Sequence, residues 1–74
     1  MTRARRMKVN EVERILERYG FNLVSQKGSH RKWRNLDQQI QVIVPYHKGR
    51  DLPMGTLRNI MICADIPDFE WKTE

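Results

Sequence analysis

The sequence predicts an α+β fold: one small domain with the order α-β-β-β-α, a three-stranded antiparallel sheet and both helices on one face of it. Three observations support this fold class. Apolar residues recur at helical spacing near both ends of the chain, and three short stretches between them have the composition of strands. The turns between these stretches are short, which favours antiparallel pairing. A chain of 74 residues forms one domain with a modest core.

The first helix is expected over residues 9–19. Its apolar stripe consists of Val9, Val12, Ile15, Leu16 and Tyr19, whereas Glu13, Arg14, Glu17 and Arg18 are expected outside it. Asn10 followed by Glu13 resembles a capping box, and Gly20 suits the position after the helix. Residues 1–6 carry three arginines and no apolar period, so we expect a disordered basic arm there; alternatively, the natural start is Met7.

The three strands are expected over residues 21–26, 30–34 and 39–44. In the first strand, alternation places Phe21, Leu23 and Ser25 on one face and Asn22, Val24 and Gln26 on the other. Residues 27–29 and 35–38 form the turns, and Pro45 ends the third strand.

The second helix is expected to begin near Pro53 and Thr56. Its buried face consists of Leu57, Ile60, Met61 and Ala64. Cys63, inside this apolar run, is expected to be a small core residue. Residues 67–74 form a C-terminal tail that either packs back on the domain or binds a partner through Phe69 and Trp71.

Charge and cysteine content limit the classes of function. The net charge is +5, and residues 18–64 contain eight lysines and arginines but two aspartates, which favours a nucleic-acid partner. A single cysteine excludes an internal disulfide and a cysteine-based zinc cluster, so we expect a cytoplasmic protein. We also expect no metal or other cofactor. The apolar runs fall short of the ~20 residues that a membrane span needs, so no membrane partner is expected.

The second strand brings an imidazole into a row of cations. Alternation places His30, Lys32 and Arg34 on the open face of the sheet, and Arg31 and Trp33 toward the helices. A neutral imidazole can accept the proton of an RNA 2′-hydroxyl, which then attacks the adjacent phosphate without a metal. A histidine at the end of a strand can also serve only to satisfy a turn, so this motif alone leaves both interpretations open.

His30 is therefore the candidate catalytic residue. The candidate phosphate-binding residues are Lys27, Gly28, Ser29, Lys32, Arg34, His47, Lys48 and Arg50. We expect His47 to contact phosphate from its basic loop rather than to act as a second catalyst.

Four motifs follow one another at consistent spacing: Ile15-Leu16-Glu17-Arg18-Tyr19-Gly20-Phe21, Lys27-Gly28-Ser29-His30, Val44-Pro45-Tyr46-His47 and Leu52-Pro53-Met54-Gly55-Thr56-Leu57-Arg58. Together they resemble the HicA family of bacterial toxin endoribonucleases over residues 7–66. This resemblance implies a fold like a double-stranded-RNA-binding domain and metal-independent cleavage of mRNA that depends on His30. It also implies neutralisation by a HicB-type antitoxin that covers the active site.

One departure from the family pattern concerns the residue after the catalytic histidine. The family often has a second histidine there, and this chain has Arg31. Because Arg31 is expected to point away from His30, we expect little effect on the chemistry. Two other functions stay open at this point: a non-catalytic RNA-binding module of the same fold, and a protein-interaction adaptor that uses Phe69 and Trp71.

Overall fold

A computed structural model of the chain describes residues 3–73 and confirms the predicted α-β-β-β-α order. Its elements are β1 (Arg3–Ala4), α1 (Val9–Arg18), β2 (Asn22–Lys27), β3 (His30–Asn35), β4 (Ile40–Pro45), α2 (Met54–Cys63), a 3₁₀ turn (Asp68–Glu70) and β5 (Lys72–Thr73). The three central strands form an antiparallel sheet in the order β2-β3-β4. Each expected strand is present: β2 and β4 are displaced by one residue, and β3 begins at His30 as expected and extends to Asn35.

The core lies between this sheet and the two helices. Trp33 of β3 pairs with Val42 of β4, and both side chains are buried. The helices contribute the residues that their periodicity predicts: Val9, Val12, Ile15 and Leu16 from α1, and Leu57, Ile60 and Met61 from α2, with Ala64 directly after it. Cys63 is exposed rather than buried, so its expected core position is wrong. The helices cover one face of the sheet and leave the other open.

The first helix begins differently from the prediction. Lys8 is its N-cap residue, and the backbone N–H of Lys8 donates to Glu11 Oε1 at 3.2 Å. The N-cap is therefore Lys8, two residues before Asn10, and the capping box expected from Asn10 and Glu13 is wrong. Gly20 follows the helix with φ +89°, a left-handed conformation that favours glycine, as predicted.

A β-bulge in β2 changes which side chains share a face. Leu23 pairs with Trp33, but the next pair is Ser25 with Lys32, so Val24 is an extra residue. The strict alternation predicted for this strand is therefore wrong beyond Leu23. As a consequence, Lys27 pairs with His30 on the open face, whereas uninterrupted alternation would have placed it on the helix side.

The two ends of the chain pair with each other. Arg3–Ala4 forms an antiparallel pair with Lys72–Thr73, and the Arg5 N–H donates to the Trp71 carbonyl at 3.0 Å. The segment expected to be a disordered arm thus contributes β1; residues 1–2 lie outside the described residues, as does residue 74 of the tail. Of the two alternatives for the tail, the structure shows that it packs back.

Trp71 is part of the core. Its side chain is 1% exposed, and its Nε1 donates to the Ile66 carbonyl at 3.3 Å. Phe69, in contrast, is 76% exposed. The adaptor hypothesis needed both aromatic side chains at the surface, and for Trp71 that expectation is wrong.

Glu70 connects the tail to the end of the first helix through hydrogen bonds. Its carboxylate accepts from Arg18 Nη2 at 2.7 Å and from the Tyr19 hydroxyl at 2.6 Å, and its carbonyl accepts from Arg5 Nη2 at 2.9 Å. The hydrogen bond to Glu70, followed by burial and the charge of Glu70, raises the pKa of Tyr19 above its ordinary value of 10.0.

This contact predicts a measurable change in the titration of Tyr19. In a Tyr46→Phe background, where Tyr19 is the remaining tyrosine, Glu70→Ala should lower the pKa of Tyr19 toward its ordinary value. Because the folded state holds the phenolic proton more tightly, the contact stabilises the fold below the ordinary pKa, and this stabilisation is lost as the pH rises through the raised value. Ultraviolet difference spectroscopy of the phenolate measures the shift, and an unchanged titration in Glu70→Ala would contradict it.

Candidate nucleic-acid interface

The open face of the sheet carries a row of basic side chains on its central strand. His30, Lys32 and Arg34 alternate along β3 on this face, and the bulge in β2 adds Lys27 beside His30. We call these four residues the cationic face. Within residues 3–73, none of the four side chains takes part in a hydrogen bond or ion pair, so their donors are available to a ligand.

His30 lies at the start of β3, directly after a tight turn. Gly28 in this turn has φ +58°, and open space surrounds the position that a Cβ would occupy. Glycine is favoured here by backbone conformation and not by crowding. His30 is exposed, and it pairs across the sheet with Lys27 on one side and Pro45 on the other. The turn thus presents the imidazole at one end of the cationic face.

The loop after β4 carries the second histidine. The Tyr46 N–H donates to the Ser29 carbonyl, so the loop starts beside the turn that precedes His30. His47, Lys48 and Arg50 are all exposed. Farther along, the loop meets the start of α1, where the Arg50 carbonyl accepts from the Val9 N–H at 3.2 Å. The structure therefore brings Lys27, Lys32 and Arg34 together with His30, and it places Lys48 and Arg50 on a separate loop that leads toward α1.

The opposite face of β3 contains a polar contact that the sequence did not reveal. Glu13 of α1 is 6% exposed, and its carboxylate accepts from Trp33 Nε1 and from Arg31 Nη1, both at 2.8 Å. The expectation that Glu13 lies on the solvent side of the helix is wrong, because the indole N–H of a buried tryptophan requires an acceptor. The sequence offered one signal for this contact. Glu13 directly follows Val12 of the apolar stripe, close enough to the buried face to supply the acceptor that Trp33 needs. Arg31 points toward the helices, as predicted.

Removing the Glu13 carboxylate should destabilise the fold. Glu13→Ala leaves a buried indole N–H without an acceptor, and Arg31 loses its ion pair; we expect the free energy of unfolding to fall by about 1–3 kcal/mol. Glu17→Ala removes the same charge from an exposed position of the same helix and should change it by less than about 0.5 kcal/mol. Urea denaturation measures both. Equal effects of the two substitutions would show that the contact contributes nothing specific.

Residues 3–73 contain no group of three or more His, Cys, Asp or Glu side chains arranged to hold a metal ion. Among those same residues, no helix is long and apolar enough to cross a membrane.

Comparison with known proteins agrees with the motifs. The family model for the HicA toxin of bacterial toxin–antitoxin systems matches residues 9–66, which include both helices and all three strands of the main sheet. No curated protein gives a significant match to the chain. Because the family match covers well over half of the sequence, the chain belongs to the HicA toxin family.

Proposed function

We propose that this protein is a toxin endoribonuclease that cleaves mRNA without a metal ion, with His30 as the general acid/base. The observation that carries the proposal is the exposed imidazole of His30 on the helix-free face of the sheet, beside three cations whose side chains have no partner within residues 3–73. Family membership supports the toxin role. We place its activity in the cytoplasm, where mRNA is found.

The chemistry requires few groups from the protein. The imidazole of His30 accepts the proton of a 2′-hydroxyl, and the 2′-oxygen attacks the adjacent phosphorus. The bond from phosphorus to the 5′-oxygen breaks, and the leaving oxygen takes up a proton from water. The hydroxide that remains takes the proton that His30 accepted, so the imidazole is neutral again. The products are a 2′,3′-cyclic phosphate and a 5′-hydroxyl. Lys32, Arg34 and Lys27 stabilise the negative charge that develops on the phosphate oxygens.

The test is cleavage of end-labelled RNA by the purified protein in excess EDTA. We expect cleavage, with a 2′,3′-cyclic phosphate on the upstream product. The same RNA with 2′-deoxyribose at the cleaved position should resist, because it lacks the nucleophile. If the protein binds RNA but cleaves neither substrate, the proposed activity is wrong and a non-catalytic RNA-binding module is the better interpretation.

The same face is the one that we propose for binding of a protein partner. Family membership implies an antitoxin, and we propose a HicB-type protein that covers the cationic face. An antitoxin bound there would exclude RNA from His30 and occupy the cations at the same time. Competition between the antitoxin and a 2′-deoxy-substituted RNA would test this: the proposal requires that binding of one excludes the other.

Binding of RNA should depend on salt through the cationic face. Each phosphate contact with a single strand contributes about 0.7 to the slope of log affinity against log salt, so Lys32→Gln with Arg34→Gln should reduce the slope by about 1.4. The matched control is Arg14→Gln with Arg58→Gln, which removes the same charge from exposed positions on α1 and α2. Filter binding of the 2′-deoxy-substituted RNA at several salt concentrations measures the slopes. Equal losses in both double variants would mean that RNA binds by overall charge rather than on this face.

A further inference from the structure

Arg31, the residue after His30, links several parts of the fold through one side chain. Its Nη1 donates to Glu13 on α1 at 2.8 Å, and its Nε donates to Gln26 on β2 at 3.3 Å. Its guanidinium carbon lies 3.8 Å from the centre of the Tyr46 ring, in the loop after β4. One planar cation on β3 thus contacts α1, β2 and this loop, with a cation–π contact to the loop.

Tyr46 connects this cation to both histidine-bearing segments. Its backbone N–H donates to the Ser29 carbonyl, in the turn directly before His30. Its ring packs on Arg31, and its neighbour in the chain is His47. The position of Tyr46 therefore sets the placement of the His47 loop relative to the turn that presents His30.

Glu13 anchors the arrangement in the core. Its carboxylate is nearly buried and is held by Trp33 Nε1 as well as by Arg31. Charge-assisted hydrogen bonds of this kind are among the stronger ones in proteins, and the side chain of Arg31 is only 23% exposed. Arg31 is thus fixed on the helix side of the sheet, away from the cationic face.

We propose that Arg31 is a positioning residue: through Glu13, Gln26 and Tyr46 it holds the turn of His30 and the loop of His47 in one geometry, without touching RNA. Its effect on cleavage rests on the proposed ribonuclease function. Arginine suits this position because its guanidinium donates hydrogen bonds in its own plane, here to Glu13 and Gln26. The flat face of the guanidinium meanwhile stacks on the Tyr46 ring. A lysine ammonium lacks that planar geometry.

Arg31→Lys and Tyr46→Leu test the proposal through a split between kcat and KM. Arg31→Lys keeps the charge but not the planar link, and Tyr46→Leu removes the ring. We expect kcat to fall by about ten- to a hundredfold in both, because small displacements of a catalytic group have effects of this size. The affinity for 2′-deoxy-substituted RNA should stay close to wild type. Tyr46→Phe keeps the ring, and no hydrogen bond of the Tyr46 hydroxyl is found within residues 3–73, so this variant should retain wild-type kcat.

Three outcomes of these assays would overturn the proposal. An unchanged kcat in Arg31→Lys shows that the link has no role in cleavage. A loss of affinity with unchanged kcat assigns Arg31 to RNA contact. The third outcome is a loss of kcat that disappears at a temperature where circular dichroism shows each variant fully folded. That result would mean that Arg31 contributes to stability alone.

The two histidines provide a readout that needs no cleavage. Because the sequence has two histidines, His30 and His47, their imidazole resonances are readily assigned by nuclear magnetic resonance. Arg31→Lys should move both sets of resonances in the free protein, and Tyr46→Phe should move them far less. If wild-type protein does not cleave RNA, the proposed function fails while these resonances still test the link. Imidazole resonances that stay in place in Arg31→Lys would overturn the positioning role.

Discussion

His30→Ala is expected to reduce the rate of RNA cleavage by about 10²–10⁴-fold, the contribution of a well-placed general acid or base. The substitution should leave the fold intact, because His30 is exposed and its side chain has no hydrogen bond or ion pair within residues 3–73. RNA affinity should change little, since Lys27, Lys32 and Arg34 remain. Initial rates of cleavage in EDTA, with affinity for 2′-deoxy-substituted RNA measured alongside, separate the two effects.

His47→Ala is the matched control for this prediction. It removes the same group from an exposed loop position that we expect to contact phosphate, so it should weaken RNA binding modestly and leave kcat near wild type. Retained cleavage in His30→Ala would exclude His30 as the acid/base. Loss of kcat in His47→Ala alone would move that role to His47. In cells that lack an antitoxin, we expect the wild-type protein to arrest growth and His30→Ala to abolish that arrest.

Much of the fold could be predicted because its signals are local. The apolar stripe of α1, the breaks at Gly20 and Pro45, and the basic alternation of β3 each depend on residues close together in the sequence. The face on which His30, Lys32 and Arg34 lie follows from the position of Trp33, because a large apolar side chain on a half-covered sheet faces the core.

The features that the sequence did not predict depend on distant partners. Glu13 is buried because Trp33 and Arg31, some twenty residues away, need its carboxylate. The bulge at Val24 is set by pairing with β3, and no residue type in β2 predicts it. It matters for the site, since it brings Lys27 to the face of His30.

The arrangement of the site follows from the two faces of one strand. On β3, odd-numbered side chains enter the core or contact α1, and even-numbered side chains remain open to a ligand. The core side fixes the strand through Trp33 and Arg31, so the open side is held on a rigid support. The side chains that we propose for binding and cleavage of RNA therefore need few contacts of their own, which is consistent with the unpartnered state of His30 and its neighbouring cations within residues 3–73.

Trp71→Ala is expected to lower the free energy of unfolding more than the substitutions named above, because Trp71 is among the largest fully buried side chains of the described chain. Truncation of a buried tryptophan costs about 3–5 kcal/mol. A domain of 74 residues has a typical stability of about 4–11 kcal/mol, so this loss would remove a large share of it. The substitution should also weaken the pairing of β5 with β1, since the buried side chain of Trp71 holds in place the backbone whose carbonyl accepts from the Arg5 N–H.

Phe69→Ala distinguishes this structural role from a binding role for the tail. Phe69 is 76% exposed and should contribute less than about 0.5 kcal/mol to the free energy of unfolding. Urea denaturation of both variants decides the matter. Similar small effects would mean that the tail is not part of the core in solution, and the adaptor function would regain support. A large loss in Trp71→Ala alone would show that the tail belongs to the folded domain. A partner that binds Phe69 would then contact it on a surface that Trp71 holds in place.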